Sequence, residues 1–180
     1  MFKTLLKLVR IKDWVKNLFI LLPLFFSGDL FDFGKLNQTL FVVISFCLVT
    51  SFVYILNDIF DIEFDKNHLE KKLRPIPSGK VSVRTSLFIG ILFLLIGLTL
   101  LWYSSIESFY LTVFYVLLNI FYSYKLKQIP IIDFIIVSIG FVIRVLIGGE
   151  IGEIELTQWM IVMVFLLSLF IAVTKRRDDV

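Results

Sequence analysis

The sequence predicts an all-α fold, a polytopic transmembrane helical bundle of about six spans. Three observations carry this expectation. Of 180 residues, 58% are hydrophobic and 16% aromatic, whereas a soluble domain is nearer half apolar. The apolar residues gather in blocks that approach the roughly 20 residues needed to cross a bilayer. The charged residues sort by the loop they occupy.

Taken in order, the apolar blocks are 15–28, 39–57, 85–104, 108–124, 131–149 and 157–174. The first follows a basic stretch (Lys3, Lys7, Arg10, Lys12, Lys16), but no small-residue cleavage site follows it, so it is expected to be a retained span and not a signal peptide. It is short, and a tilted or interfacial helix suits it as well as a clean crossing. The single cysteine, Cys47, lies inside the second block. It excludes a disulfide framework and reads as a small buried hydrophobe. Trp14 and Trp159 read as interface aromatics.

The links alternate in charge. The N-terminus, residues 58–84, residues 125–130 and the tail from Lys175 hold all but Lys35 and Arg144 of the 18 Lys and Arg residues. The links 29–38, 105–107 and 150–156 carry instead Asp29, Asp32, Glu107, Glu150, Glu153 and Glu155. Cytoplasmic loops retain Lys and Arg during insertion. The N-terminus, the basic loops and the C-terminal end are therefore expected to be cytoplasmic, in the plasma (inner) membrane. No nucleic-acid partner is expected.

The chemistry is concentrated after the second block, in Asn57-Asp58-Ile59-Phe60-Asp61-Ile62-Glu63-Phe64-Asp65-Lys66-Asn67-His68. If a helix continues past Asn57, Asp58, Asp61 and Asp65 fall at i, i+3 and i+7 and share one stripe, which Asn57 can join. Aligned carboxylates near low dielectric repel one another. A divalent cation relieves that repulsion, and Mg²⁺ is commonly shared between protein carboxylates and substrate phosphates. The stripe therefore reads as a Mg²⁺–diphosphate site, with Asp58, Asp61 and Asp65 as the metal ligands. Lys71, Lys72 and Arg74 follow, suited to clamping phosphate oxygens. The stiff turn Pro75-Ile76-Pro77-Ser78-Gly79-Lys80 comes next.

A mixed-charge loop is ordinarily a solvated face. The Asp spacing, the preceding Asn at a span end and the basic turn occurring together favour the site. An EF-hand is excluded, because the alternate-position ligands and central Gly are missing. His68, the only histidine, is either a phosphate donor or a plain loop residue. Tyr122 and Lys127 are either interface anchors or part of the site. Asp133 and Arg144 lie within an apolar block, where an ionisable group faces the bundle interior. On one helix they would sit roughly 16 Å apart on one face, unable to pair but able to line one cavity. Gly140, Gly148 and Gly149 suit close helix approach.

Together these residues resemble the UbiA superfamily of intramembrane prenyltransferases. Asn57, Asp58, Asp61 and Asp65 match its N-D-x-x-D-x-x-x-D pattern in full. Arg10, Trp14, Lys16 and Asn17, then His68, Lys71, Arg74-Pro75-Ile76 and Ser78-Gly79, are similar to one branch, the decaprenyl-phosphate phosphoribosyltransferases. Tyr122-Ser123, Leu126-Lys127, Asp133, Phe141 with Arg144, Gly148-Gly149, Gln158-Trp159 and Lys175-Arg176 extend the likeness. Ile11 and Leu69 depart from it, standing where that branch commonly has proline.

The resemblance implies a Mg²⁺-dependent transfer of 5-phosphoribosyl from phosphoribosyl diphosphate to a polyprenyl phosphate in the bilayer, with release of diphosphate. It implies that Lys16, Asn57, His68, Lys71, Arg74, Tyr122, Lys127, Asp133 and Arg144 bind the substrates. It also implies further helices and a second acidic motif after the sixth span, for which only Asp178 and Asp179 remain. Residues 1–180 are thus expected to be the N-terminal two-thirds of one UbiA-like domain. Two alternatives stand: a prenyltransferase moving a prenyl group from its diphosphate to a small acceptor, and a non-catalytic cation transporter subunit.

Overall fold

A computed structural model describes residues 2–178, with side chains from Lys3 to Thr174 other than Gln128 and Pro130. The described chain is almost wholly helical and contains no strand. An N-terminal helix α1 (Phe2–Leu8) leads into a 3₁₀ helix (Ile11–Leu21) and a short α2 (Leu22–Ser27). Then come α3 (Phe33–Phe60), α4 (Ile62–Lys66), α5 (Val83–Ser104), α6 (Ile106–Tyr124), α7 (Pro130–Gly152) and α8 (Gln158–Asp178).

Among the described residues, four helices are long and apolar enough to cross a membrane: Phe33–Phe60, Val83–Ser104, Ile106–Tyr124 and Ile131–Gly152. Gln158–Thr174 is a shorter apolar helix. These correspond to the second to sixth expected blocks. The starts are fixed by side-chain caps, which satisfy amides that a helix leaves unpaired. Asp32 accepts from the amides of Gly34 and Lys35, Ser82 from Thr85, and Ser105 from Ser108.

α3 is the central post, packed by α5, α6, α7 and the 3₁₀ helix. Its buried positions mix bulk (Val42, Phe46, Val49, Ile55) with small polar residues (Ser45, Thr50, Ser51). The small residues let neighbours approach closely, as membrane helices require. A Cβ at Gly97 of α5 would lie 2.7 Å from the Ser45 carbonyl oxygen. At 28 residues and 1.5 Å per residue, α3 is roughly 42 Å long. The hydrocarbon core is only about 30 Å thick, so α3 is long enough to carry its polar C-terminal turn past the apolar layer. The opposite side of α5 stays open, with Phe88, Leu92, Leu95 and Ile96 exposed, as suits a lipid-facing surface.

The first expected span departs from an α-helix. Residues Ile11–Leu21 wind as a 3₁₀ helix, and only Leu22–Ser27 is α-helical. Two features explain this. Pro23 has no N–H to continue an α ladder. The inward residues Trp14, Asn17 and Ile20 recur every three positions, the period that stacks side chains on one edge of a 3₁₀ helix. Trp14 Nε1 donates to Ser51 Oγ at 3.0 Å, and Asn17 Nδ2 to Thr50 Oγ1 at 3.0 Å and Cys47 Sγ at 3.1 Å. Trp14 is therefore packed into the bundle and is not the interface anchor expected, whereas Trp159 is exposed.

At about 2.0 Å per 3₁₀ residue and 1.5 Å per α residue, the 3₁₀ helix and α2 together reach roughly 30 Å. The segment runs antiparallel to α3, because Arg10 pairs with Asp58 at the end of α3 and Asp29 with Lys35 at its start. That Lys35 ammonium, 2.8 Å away, holds the Asp29 carboxyl below its ordinary value. The bundle so acquires a basic end, at Arg10 and the C-terminus of α3, and an acidic end around Asp29 and Glu153.

Candidate active site

The basic end gathers the expected acids. Asp58 sits in the last turn of α3, and Asp61 is the single residue between α3 and α4. The expected continuous helix is interrupted there, yet the ladder survives. The Asp61 amide donates to the Asn57 carbonyl at 3.0 Å, and the Asp65 amide to the Asp61 carbonyl at 2.8 Å. Asp58 and Asp65 therefore lie two turns apart on one stripe. Each is only 1% exposed.

Arg74 joins them. Its Nη1 donates to Asp65 Oδ2 at 2.6 Å and to Asp58 Oδ1 at 3.0 Å. The turn that delivers Arg74 is set by local contacts. His68 Nδ1 accepts from the amides of Glu70 (3.2 Å) and Lys71 (3.4 Å), opening a 3₁₀ turn at Lys71–Leu73. Gly79, at φ +72°, completes the reversal through Pro75 and Pro77 at a left-handed position where glycine carries no Cβ penalty. Asp58 also accepts from Arg10 Nη2. Arg10 itself adopts a left-handed conformation at φ +51°, uncommon for a residue with a Cβ, where α1 turns into the 3₁₀ helix.

Asp61 faces the other way, toward the α6–α7 link, and pairs with Lys127 Nζ. Beside it, Ser123 Oγ on α6 donates to Asn57 Oδ1 at 3.3 Å, and Tyr122 Oη donates to Asp133 Oδ1 at 2.7 Å. Lys16 pairs with Asp13 at 2.6 Å. Both Lys16 and Arg10 lie over the Tyr54 ring, at 5.8 and 5.1 Å. Lys71 sits 5.9 Å from the Phe64 ring centroid.

Arg144 is placed elsewhere. It is buried, its Nε donating to Asn17 Oδ1 at 2.9 Å, Nη1 to the Gly140 carbonyl at 2.6 Å and Nη2 to Tyr115 Oη at 3.3 Å. The rings of Phe46, Tyr115 and Phe141 lie 5.1–5.3 Å from its Cζ. Its partners are neutral dipoles and π faces, not a carboxylate, and it fastens the 3₁₀ helix to α7.

The structure thus brings together Asn57, Asp58, Asp61, Asp65, Arg74 and Lys127. It joins Tyr122 to Asp133 across the α6–α7 link that carries Lys127, and it gives His68 a capping contact. Arg10, Tyr54 and Ser123 are members that the sequence expectation omitted. Arg10 stands 48 residues from Asp58, and no local spacing marks that pairing. Its sequence signal was the likeness of Arg10, Trp14, Lys16 and Asn17 to one branch of the family, which does not mark Asp58 as its partner.

The donor set suits a hard cation. Asp58 and Asp65 converge on one nitrogen, and their carboxylate oxygens are the ligands Mg²⁺ prefers when phosphates complete its shell. Asp61 is turned away, so among the described residues no three acidic, His or Cys side chains are grouped closely enough to hold an ion alone. The residues fit a metal that arrives with phosphate ligands.

Fold and site define a helical integral membrane protein with an aspartate–arginine cluster at one end. The family model described as the UbiA prenyltransferase family matches residues 18–179, and the chain belongs to that family. Among curated proteins it is 33% identical to the decaprenyl-phosphate phosphoribosyltransferase of Mycolicibacterium smegmatis, over 96% of this chain and 55% of that one. It is 32% identical to the enzyme of the same name from Corynebacterium glutamicum, over 98% and 54%. The chain therefore spans about half the length of the curated relatives it matches. Among solved structures it is similar to a digeranylgeranylglyceryl phosphate synthase (TM-score 0.75, 28% identity, 93% of this chain and 58% of that one). It also shares the fold of a UbiA homolog from Archaeoglobus fulgidus bound to DMAPP and Mg²⁺ (TM-score 0.79, 22% identity, 91% and 59%). Family membership favours the two transferase readings over the transporter alternative.

Proposed function

We propose that this chain is the diphosphate-binding part of a membrane transferase that moves 5-phosphoribosyl from phosphoribosyl diphosphate to a polyprenyl phosphate. The observation that carries this reading is the shared bond of Asp58 and Asp65 to Arg74, with Asp61 on Lys127 one turn away. Three carboxylates and three cations (Arg10, Arg74, Lys127) form a cluster of near-zero net charge. Such a cluster receives a cation and a polyanion together at little electrostatic cost. The named function of the relatives at 32–33% identity supports the choice of substrates.

In this reading Asp58 and Asp65 would hold Mg²⁺, with Asp61 joining them on release from Lys127. When bound, the ion neutralises charge on the leaving diphosphate. Arg74, released from the carboxylates, forks onto phosphate oxygens, and Arg10, Lys16 and Lys71 add positive charge around them. His68 sets the turn that aims Arg74. Asn57 orients the Asp58 turn through Ser123. Lys127, with Tyr122 and Asp133, receives the acceptor phosphate. A phosphate oxygen of the lipid forms a bond to the anomeric carbon, the bond from that carbon to diphosphate breaks, and diphosphate leaves with its electron pair. Arg144 supports the site from below by holding Asn17. The basic end faces the cytoplasm of the plasma membrane, as its Lys and Arg content favours.

The runner-up is a prenyl diphosphate donor and a different acceptor. The similarity to a digeranylgeranylglyceryl phosphate synthase at 28% identity favours it. One experiment separates the two. Membranes containing the full-length protein are given ribose-labelled phosphoribosyl diphosphate with polyprenyl phosphate, or a labelled prenyl diphosphate. Ribose label entering the lipid fraction is expected. Prenyl transfer alone would replace this reading with the second.

A further inference from the structure

We propose that a cleft between α1 and the start of α5, at the basic end, is a binding site for an anionic phospholipid of the bilayer. The cleft has a volume of about 480 Å³, within the ~300–1,000 Å³ of small-ligand cavities. Leu5 and Leu8 of α1 form one apolar wall, and Val81 and Ile89 the other. Its polar rim carries Lys80, Thr4, Ser82 and Thr85. A phospholipid has the same two-part character, a charged head and an apolar chain.

Charge selects an anionic head. Lys3, Lys7, Lys80 and Arg84 are exposed on these two segments. Residues 1–12 and 71–106 contain no Asp or Glu. None of the four cations forms an ion pair among the described residues. An unbalanced basic patch at a membrane interface attracts acidic lipid headgroups. The chain also has a path. Thr85, Ile89, Leu92 and Ile96 follow at helical spacing on one stripe of α5, and Leu92 and Ile96 are exposed toward the lipid. The phosphate lies at Lys80 and Arg84, and an acyl chain descends this stripe.

The cleft adjoins the candidate active site. Leu8 is buried with Ile55 and Ile76 in a small separate core. Beyond Leu8, the Val9 carbonyl accepts from Ser51 Oγ at 2.9 Å and Arg10 pairs with Asp58. A lipid that seats α1 therefore also steadies Arg10.

The test is native mass spectrometry of the full chain released from detergent containing equal phosphatidylglycerol and phosphatidylcholine. One retained phosphatidylglycerol per chain is expected, preferred about tenfold over phosphatidylcholine. Lys80→Gln with Arg84→Gln, both exposed, should bring the preference to parity. Lys66→Gln with Lys125→Gln, an equal charge loss outside the cleft, should leave it intact. Thr85→Trp, which fills the cleft, should abolish retention without lowering the thermal midpoint in phosphatidylcholine. Equal retention of both lipids by the unmodified chain, equal loss in the control pair, or displacement of the lipid by inorganic phosphate would overturn the assignment.

Discussion

A guanidinium that touches two carboxylates at once ties their positions together, and Arg74 does this for Asp58 and Asp65. Replacement of Asp58 takes the counter-charge from Arg10 and one of two from Arg74, which is costly, and removes a proposed metal ligand. Asp58→Ala and Asp61→Ala in the full-length protein are each expected to abolish transfer and its Mg²⁺ dependence while the protein still inserts. A near-normal rate in either would remove the metal role. Arg144 has a different consequence. Arg144→Leu strands Asn17 Oδ1 and Tyr115 Oη, at about 1–3 kcal/mol for each unsatisfied group. A lysine keeps the charge but not the three-way fork. Both variants should lower the thermal midpoint in detergent, and an unchanged midpoint would contradict the fastening role. At this scale the nearness of Asp58 and Asp65 was legible, because i, i+7 spacing is a local property, whereas the turn of Asp61 toward Lys127 was not. The partners of Arg144 were not, since Asn17 is 127 residues away. The expectation that Arg144 binds substrate came from the resemblance, which carries no information on its contacts in this chain.

Among the elements, the long apolar helices were legible from block length, and the N-terminal crossing was not. Its hydrophobicity fits an α-helix, whereas its inward residues Trp14, Asn17 and Ile20 recur every three positions. That period, with Pro23, was the available sign of a 3₁₀ helix. The segment is held by close approach as much as by hydrogen bonds. A Cβ at Gly148 of α7 would fall 2.9 Å from the carbonyl carbon of Ile20, and backbone cannot give way as a flexible side chain does. Gly148→Ala is expected to cost roughly 1–3 kcal/mol as overpacking, read as a lower midpoint and faster proteolysis after Arg10. Wild-type stability in this variant would show that α7 and the 3₁₀ helix are not in contact. The glycine was legible as a site of close approach, but its partner was not.

For the whole molecule, separation of charge gives the bundle a basic and an acidic end, and the candidate site lies at the basic one. That division was readable from the sequence because insertion sorts Lys and Arg by side of the membrane. The direction of the bundle follows as a prediction. In a Cys47→Ser background, Ser78→Cys should resist an impermeant thiol reagent added to intact cells, whereas Glu155→Cys should react. The reverse pattern would invert the topology and remove a soluble cytoplasmic donor from reach. The gathering of α3, α4, α6 and the N-terminal segment around one aspartate cluster could not be read from any single stretch. It depends on Arg10 and Lys127 arriving from 48 and 66 residues away. The most direct measurement is Mn²⁺ binding to the full-length protein by electron paramagnetic resonance, with and without diphosphate. A bound-ion signal that appears with diphosphate and is lost in Asp58→Asn with Asp61→Asn is the predicted result. A signal unchanged by those substitutions would contradict the metal–diphosphate role of the cluster.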